Sequence, residues 1–528
     1  MGQNIELSSR QSTIIFPPQW EPSQPALVLP VISGILRGLG IRSHPLDLNQ
    51  RLYKCLIEKC EILGKRVLEN FQRPDTISSI SLFRDRWDAL QKIWNLGYDP
   101  TGKHSLFSDS LASHLHSSDP GAWKTVIESP SVLPLVALLE PDLEAVLERG
   151  IDTLIFSAIS DTQILPSLAI ASWFRSRRPD ICMVIGGDAF SYRKDLLPRI
   201  HEIVGSLFKE ISVTHAESAF SGWFSTPASP NLRFSLPDWS YLDVSQSIAP
   251  WIVAPVETAR GCPWSGCAFC IHPDRNRYGQ GMYHPKPLDL LEQELLMHLS
   301  AGRSKFFFVD EAILPNRLNA LCDVFGKLPS PISWICYSRL DDGHSLEIFR
   351  KARRFGLKKI FWGLESGSDV LMKKFNKGTR AESAERILLD CSKAGIASHL
   401  FLMTGFPGET DHDRQLTISL LRRILPSMDP FGFSWDLFSL KAERGTPLFC
   451  HPEEFGAEIR VLSAEREFAY QADLMGEMPS RGEMLRYRDS LEETIESILG
   501  SVPGIRHLKL SQDSFHLLLL DGCPSEKN

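Results

Sequence analysis

The 528-residue sequence has no apolar run of the ~18 residues that a membrane-crossing helix needs. Its first residues, MGQNIELSSRQS, lack the charged-then-apolar order of a secretion signal. Glu6 stands where an N-myristoylation pattern after Gly2 would need Ser or Thr. These absences predict a cytoplasmic protein with no membrane partner. Basic charge is not in excess either: 57 Lys and Arg against 64 Asp and Glu give a net charge of −7. That argues against a broad nucleic-acid-binding surface and leaves room only for a local patch. Internal repeats and low-complexity tracts are also missing. The eleven cysteines are an odd number, and eight of them are scattered, so they form no disulfide framework. In a reducing compartment a tight cysteine group is metal-binding or catalytic instead.

What is present is a large globular chain. Hydrophobic residues make up 43% and charged residues 23%, enough to bury a sizeable core. The length predicts two to four domains. Strand-like Thr13–Phe16, a helical stretch over 26–39 and a strand over 44–48 open the sequence. Leu52, Leu56, Leu63 and Val67, then Trp87, Leu90 and Trp94, recur at helical spacing, so 51–138 reads as a mostly helical insertion. Alternation resumes with strands at 153–157, 182–185 and 210–213 and helices at 166–176 and 196–204. That pitch predicts a parallel, doubly wound sheet that binds ligands outside the carboxyl ends of its strands. A Pro- and Ser-rich linker at 226–250 follows. A second series then predicts strands at 253–258, 305–309, 332–337, 359–362, 398–404 and 432–437. Six βα units are too few for a full eight-unit barrel and predict a partial, open one. Thr379 with Glu382 predicts a capping box for a helix over 381–394. Two further helices are expected at 464–475 and 484–499, and an apolar end at 515–520. The domain reading is 1–225, linker 226–250, 251–450, and an α+β tail at 451–528.

The three clustered cysteines are Cys262, Cys267 and Cys270, spaced C-x4-C-x2-C directly after the first strand of the second series. Thiolates are soft ligands suited to zinc or iron–sulfur clusters. A structural zinc site takes four ligands, and the spacing of the nearby His272 suits no common zinc pattern. Three ligands fit a cubane that keeps one iron open. A zinc knuckle stays the alternative at this point.

The segment Gly261-Cys-Pro-Trp-Ser-Gly-Cys-Ala-Phe-Cys270 resembles the cluster loop of the radical S-adenosylmethionine superfamily, with one residue more than that family's usual C-x3-C-x2-C. The resemblance runs over roughly 251–450. Asp310-Glu311 ends the second strand, Trp362-Gly-Leu-Glu365-Ser366-Gly367 the fourth and Thr404-Gly405-Phe-Pro407-Gly-Glu409 the fifth, and Arg444–Pro447 resembles a turn after the sixth. The resemblance implies a [4Fe–4S] cluster on the three cysteines, with S-adenosylmethionine against Phe269, Asp310, Glu311, Glu365, Ser366, Gly405 and Pro407. It also implies one-electron cleavage to a 5′-deoxyadenosyl radical, driven by a donor such as flavodoxin or ferredoxin.

Residues 13–50 and 140–224 resemble the cobalamin-binding domain that precedes many such barrels. The resemblance implies Ser157, Ser160, Gln163, Gly186, Gly187 and Glu217 near the cobalamin. The Asp-x-His-x-x-Gly motif that gives a histidine to cobalt elsewhere is missing, as it is in many radical members. The expected fold class is therefore α/β: an N-terminal doubly wound, Rossmann-like cobalamin-binding domain, then a partial (βα)6 TIM-like barrel and a small C-terminal tail. The implied function is methylation of an unactivated carbon of a natural-product or peptide substrate by a class B-like C-methyltransferase. The alternatives are a cobalamin-dependent rearrangement or oxidation without methyl transfer, and a non-enzymatic iron–sulfur or zinc protein. A methylthiotransferase is disfavoured, because Cys55, Cys60 and Cys182 do not form that family's second three-cysteine motif.

Overall fold

The computed structural model describes residues 11–18, 20, 24–59, 115–214, 216, 219–220, 234–242, 252–272, 283–430, 432–460 and 462–500. The helix expected around Trp87–Trp94, most of the linker and the apolar 515–520 end lie outside the described residues. The chain divides into two compact units, and Leu462–Tyr470 belongs with the residues up to Ile252 rather than with its sequence neighbours.

The first unit is built on five parallel strands: β1 (Gln11–Phe16), β2 (Arg42–Asp47), β3 (Thr153–Ser157), β4 (Cys182–Gly186) and β5 (Glu210–Ile211). Their order is β2-β1-β3-β4-β5. Both faces are covered at the central strands β1, β3 and β4, which is why those three read as apolar runs. Ile14, Phe16, Ile155 and Val184 pack with Leu29, Ile32, Ile35 and Leu36 of helix α1 (Val28–Gly38). Ile15, Leu154, Phe156, Met183 and Ile185 pack on the opposite side. There they meet α3 (Pro120–Glu128), α4 (Leu135–Glu148) and α5 (Ile164–Arg177), with α2 (Leu48–Lys59) preceding them in the chain. The sheet order reverses between β1 and β3, the place where such a sheet opens a crevice at its strand ends.

Leu462–Tyr470 does not form the expected helix. After one 3-10 turn at Ala464–Arg466 it turns again at 467–468, and Gln471–Ala472 pairs with Ala442–Glu443 in the second unit. The physical reason is that Phe468 packs in the core of the first unit, while Leu474 further along packs in that of the second. Phe468 is fully buried edge-to-face on Trp123, with centroids 4.6 Å apart. Its amide donates to the Ser118 carbonyl (2.9 Å) and its carbonyl accepts from Arg193 Nε (2.5 Å). Arg193, also fully buried, donates to Asp161 Oδ2 (2.7 Å). Tyr470 stacks on Tyr192.

The second unit carries six parallel strands: β6 (Val253–Val256), β7 (Lys305–Phe308), β8 (Ser333–Ser338), β9 (Leu357–Glu365), β10 (Ala397–Thr404) and β11 (Ser434–Ser439). They pair in sequence order from β6 to β11. Helices α6 (Leu288–Ser300), α7 (Pro315–Phe325), α8 (Leu346–Arg354), α9 (Ala381–Lys393) and α10 (Asp411–Ile424) alternate with them. One sheet face packs on these helices: Phe308 and Trp334 meet Phe325 of α7, and Trp362 meets Phe349 of α8. The opposite, inner face carries Phe307, Tyr337, Phe361, Phe401 and Phe438 in an unbroken chain of ring contacts. This is the open half-barrel expected from six βα units. The capping box at Thr379 does not form. The helix starts one residue later, on Arg380, and Asp369 Oδ1 takes the Ala381 N–H (2.7 Å). The last helix, α11 (Arg481–Leu499), does have a capping box, Ser480 with Glu483. Among the described residues no helix is long and apolar enough to cross a membrane.

Replacing Phe468 by Ala is expected to cost about 3–5 kcal/mol, the range for deleting a buried phenyl group. Hydrogen–deuterium exchange checks where: amides of Pro120–Glu128 should exchange faster while those of β9 stay protected. Unchanged exchange at 120–128 would show that the segment does not hold the first unit together.

Candidate active site

The cysteine loop begins where β6 ends. Gly261, at φ 85°, turns the chain in the left-handed region open to glycine. Its N–H donates to Glu311 Oε2 at 3.0 Å, and Glu311 Oε1 lies 3.6 Å from His272 Nδ1. Glu311 thus anchors the front of the loop. Asp310 is buried and accepts from the Thr258 N–H (2.6 Å) and from the Thr258 hydroxyl. Burial pushes its carboxyl up to about 7, against the pull of the two Thr258 hydrogen bonds. Asp310 therefore braces the strand end, while Glu311 reaches the loop.

Behind the loop stand two buried cations. Arg339 Nη1 lies 3.7 Å from Cys267 Sγ, and its Nη2 donates to the Lys377 carbonyl (2.7 Å). Lys377 Nζ forms a buried ion pair with Glu365 Oε1 at 2.7 Å. Burial alone would lower the Lys377 ammonium pKa. The charges of Glu365 and of a Cys267 thiolate outweigh it and push the value up. Burial raises the Cys267 thiol, and Lys377 and Arg339 pull it back down. Burial raises Cys270 to about 12, so ligation there must displace a proton. Glu365 sits at φ 61°, rare for a non-glycine residue, where the pairing of β9 with β10 slips register. A Cβ on Gly363 would come within 2.7 Å of Glu365 Oε1 and 2.8 Å of Lys377 Nζ, so the ion pair closes over that glycine.

The other expected S-adenosylmethionine residues lie on the ends of β9 and β10. Phe269 is half-buried between Phe375 and Phe406, with Lys377 over its ring. The Ser366 hydroxyl is turned inward, 3.3 Å from Thr417 Oγ1 and accepting the Ser368 N–H. Gly405 (φ 84°) and Pro407 lie in a loop gathered by Glu409, whose Oε2 accepts the N–H groups of Gly405 (2.6 Å) and Phe406 (3.1 Å). Lys374 Nζ donates to the Pro407 carbonyl (2.9 Å). Sequence reasoning did not assign Arg339, Lys377 or the loop-gathering role of Glu409. No motif marks Arg339 or Lys377, whereas Glu409 stood in the quoted Gly-Phe-Pro-Gly-Glu run. Lower on the inner face, Lys359 Nζ and His399 Nδ1 both meet Ser434 Oγ at 2.7 Å. Burial takes His399 down to about 4, so it is neutral.

In the first unit Ser157, Ser160, Gly186 and Gly187 gather at the carboxyl ends of β3 and β4. Gly187 has φ 111°, and a Cβ there would meet the Ala158 carbonyl at 2.2 Å. Gln163, also expected near the cobalamin, braces the loop after β3. It is fully buried, with Oε1 accepting the Ile159 and Ser160 N–H groups and Nε2 donating to the Pro17 carbonyl. Glu217 lies outside the described residues.

Among the described residues no three His, Cys, Asp or Glu side chains converge as a single metal ion would require. A cubane does not need that convergence, because each cysteine binds a different iron. The donor set fits such a cluster: three thiols on one loop, with two buried cations beside Cys267 to offset the negative charge of thiolate ligation.

Residues 256–421 match the Radical SAM superfamily, so the chain carries a radical S-adenosylmethionine domain. A domain of this family holds a [4Fe–4S] cluster and S-adenosylmethionine. Among curated relatives, an uncharacterized methyltransferase of Pyrococcus horikoshii is 23% identical, over 32% of this chain and 36% of its own. The ribosomal protein uS12 methylthiotransferase RimO of Desulforudis audaxviator is 23% identical, over 42% and 49%. The matches therefore span about a third to a half of those relatives. Two solved structures share the fold over 92% of this chain, each at 13% identity. One is the cobalamin-dependent radical enzyme OxsB with aqua-cobalamin and S-adenosylmethionine bound, with a TM-score of 0.57 and 66% of that chain covered. The other is the methyltransferase TsrM of Kitasatospora setae with cobalamin and a [4Fe–4S] cluster bound, at 0.53 and 91%.

Replacing Lys377 by Met strands the Glu365 carboxylate and is expected to cost about 3–5 kcal/mol. Adding Glu365→Gln should recover part of that loss, a coupling that a double-mutant cycle in denaturant reads directly. Asp310 has a sign of its own. Its folded pKa is raised, so its contribution is fully present below about pH 4 and is lost as pH rises through 7. Asp310→Asn should flatten that part of the stability profile, measured as Tm against pH.

Proposed function

We propose that this chain is a cobalamin-dependent radical S-adenosylmethionine enzyme that methylates an unactivated carbon of a small-molecule or peptide substrate. The observation that carries the reading is the combination of two sites on one chain. A three-cysteine loop opens a six-stranded parallel half-barrel, and a separate five-stranded sheet of order β2-β1-β3-β4-β5 ends in the Gly186-Gly187 turn. OxsB and TsrM, both cobalamin-dependent, support the pairing by sharing the fold across both units.

In this reading Cys262, Cys267 and Cys270 hold the cluster, and Glu365, Ser366, Gly405 and Pro407 form the strand-end surface for S-adenosylmethionine. Ser157, Ser160, Gly186 and Gly187 line the place for the corrin and its tail. When bound, the cluster and S-adenosylmethionine supply hydrogen abstraction from an inert carbon, and cobalamin supplies a methyl carrier. The chain's own share is orientation and exclusion of water. Arg339 and Lys377 neutralise charge at the cysteine loop, Glu409 fixes the backbone of the β10 loop, and the Phe307–Tyr337–Phe361–Phe401 layer gives the inner face an apolar wall. A wall of packed rings excludes water, which protects a reactive intermediate from side reactions. An external one-electron donor of the flavodoxin or ferredoxin kind completes the scheme.

Among the described residues, the separate places of Cys55 and Cys182 disfavour methylthiotransfer. Cys182 opens β4 at the amino end of the sheet, opposite the ligand-facing strand ends, and Cys55 lies in α2 against the Leu138 carbonyl.

Anaerobic purification with cobalamin supplied tests the proposal: about four iron and about one cobalt per chain are expected. Incubation with S-adenosylmethionine and a reductant should then yield both 5′-deoxyadenosine and S-adenosylhomocysteine. Iron without cobalt, and no S-adenosylhomocysteine, would overturn the methyltransferase reading. The Cys270→Ala variant should lose 5′-deoxyadenosine while keeping its fold, and retained production would sink the cluster assignment.

A further inference from the structure

The loop from Cys262 to Cys267 holds one residue more than the usual spacing of the family it resembles, and the structure gives that room a use. Ser265 takes φ 49°, its hydroxyl bonded to the Cys262 carbonyl, and the kink carries Trp264 sideways. Trp264 is 40% exposed, yet its ring is fixed. Its Nε1–H donates to the Asn376 carbonyl at 2.7 Å, and Asn376 Nδ2 donates back to the Gly266 carbonyl at 2.8 Å. One side of the ring lies against Gly378, where a Cβ would come within 2.3 Å of it. The Arg339 guanidinium carbon is 5.1 Å from the ring centroid, inside the cation–π range. Arg339 is the residue whose Nη1 points at Cys267 Sγ.

We propose that Trp264 is a positioning residue for the cluster: it pins the Arg339 guanidinium against the Cys267 sulfur and thereby sets how readily the bound cluster accepts an electron. The inference rests on the reading that the three cysteines hold the cluster. A cation donating to a ligand sulfur stabilises the more negative, reduced cluster and raises its potential. The effect depends on keeping water away from the guanidinium, because solvent screens its charge. The indole covers Arg339, which is otherwise held by the Lys377 carbonyl and by Asp341 at 3.4 Å. Removing the indole leaves Arg339 partnered but free to swing toward water.

The test compares holoenzymes matched for iron content in a buffer poised at the wild-type midpoint, with the reduced cluster counted by electron paramagnetic resonance. The ratio of reduced to oxidised cluster is expected to fall about tenfold in Trp264→Ala, equivalent to about 59 mV for one electron. Arg339→Gln should fall at least as far. The double variant should fall no further than Arg339→Gln alone, because the indole acts through the guanidinium. Trp264→Phe, which keeps a ring but loses the N–H, should fall less than Trp264→Ala and covers the case in which the alanine variant does not load iron. A purely packing role would lower the Tm of the iron-free protein and leave the ratio unmoved in both Trp264 variants, which overturns the proposal. A wild-type chain that holds no four-iron cluster overturns the reading of the cysteines and this proposal with it.

Discussion

The ion pair between Lys377 and Glu365 is the contact on which the rest of the site depends. Two charges taken out of water are tolerable only together, and separating such a pair costs far more than a surface pair is worth. Its geometry constrains everything around it. Glu365 must leave ordinary strand conformation to reach Lys377, Gly363 must lack a side chain so that the pair can close above it, and the Lys377 carbonyl is then placed to hold Arg339. Arg339 in turn faces Cys267. The backbone of the same 375–378 segment receives the cysteine loop, with the Phe375 carbonyl taking the Ala268 N–H and the Asn376 carbonyl taking the indole of Trp264. The turn that ends the short helix Asp369–Lys374, after the fourth strand, is therefore the mould on which the cysteine loop is set.

What the sequence made legible was local and periodic. Strands were expected at all five places of the first sheet and all six of the second, most plainly where a strand is covered on both faces and leaves an apolar run, as β1, β3 and β4 do. The cysteine spacing gave the loop chemistry. What it could not reveal was set by contacts between distant residues. Nothing near Arg339 or Lys377 in the chain marks them as partners of a thiol more than seventy positions away. Nor does the sequence show that the Gln163 amide bonds Ile159, Ser160 and the distant Pro17. The helix predicted over 464–475 does not form, because Phe468 packs in the core of the first unit and Leu474 in that of the second.

The two sheets also share a strategy. In each, the strand ends are shaped by backbone groups approaching too closely for a side chain, Gly187 against Ala158 in one and Gly363 under the ion pair in the other. Nearby carboxylates and amides are spent on backbone N–H groups: Glu409 on Gly405 and Phe406, Glu311 on Gly261, and Gln163 on Ile159. These polar side chains make the backbone rigid, and a rigid strand end is what a large cofactor needs.

The excursion of Leu462–Tyr470 into the first unit has a consequence for how the protein is made. A ribosome releases the first unit long before it reaches Phe468, whose ring completes the core around Trp123 and whose carbonyl meets Arg193. At ordinary elongation rates the wait is on the order of 10–40 s. During that interval a nascent aromatic cleft and a buried-in-waiting guanidinium stand open to solvent. The first unit can thus complete its core only after the barrel that follows it has been translated.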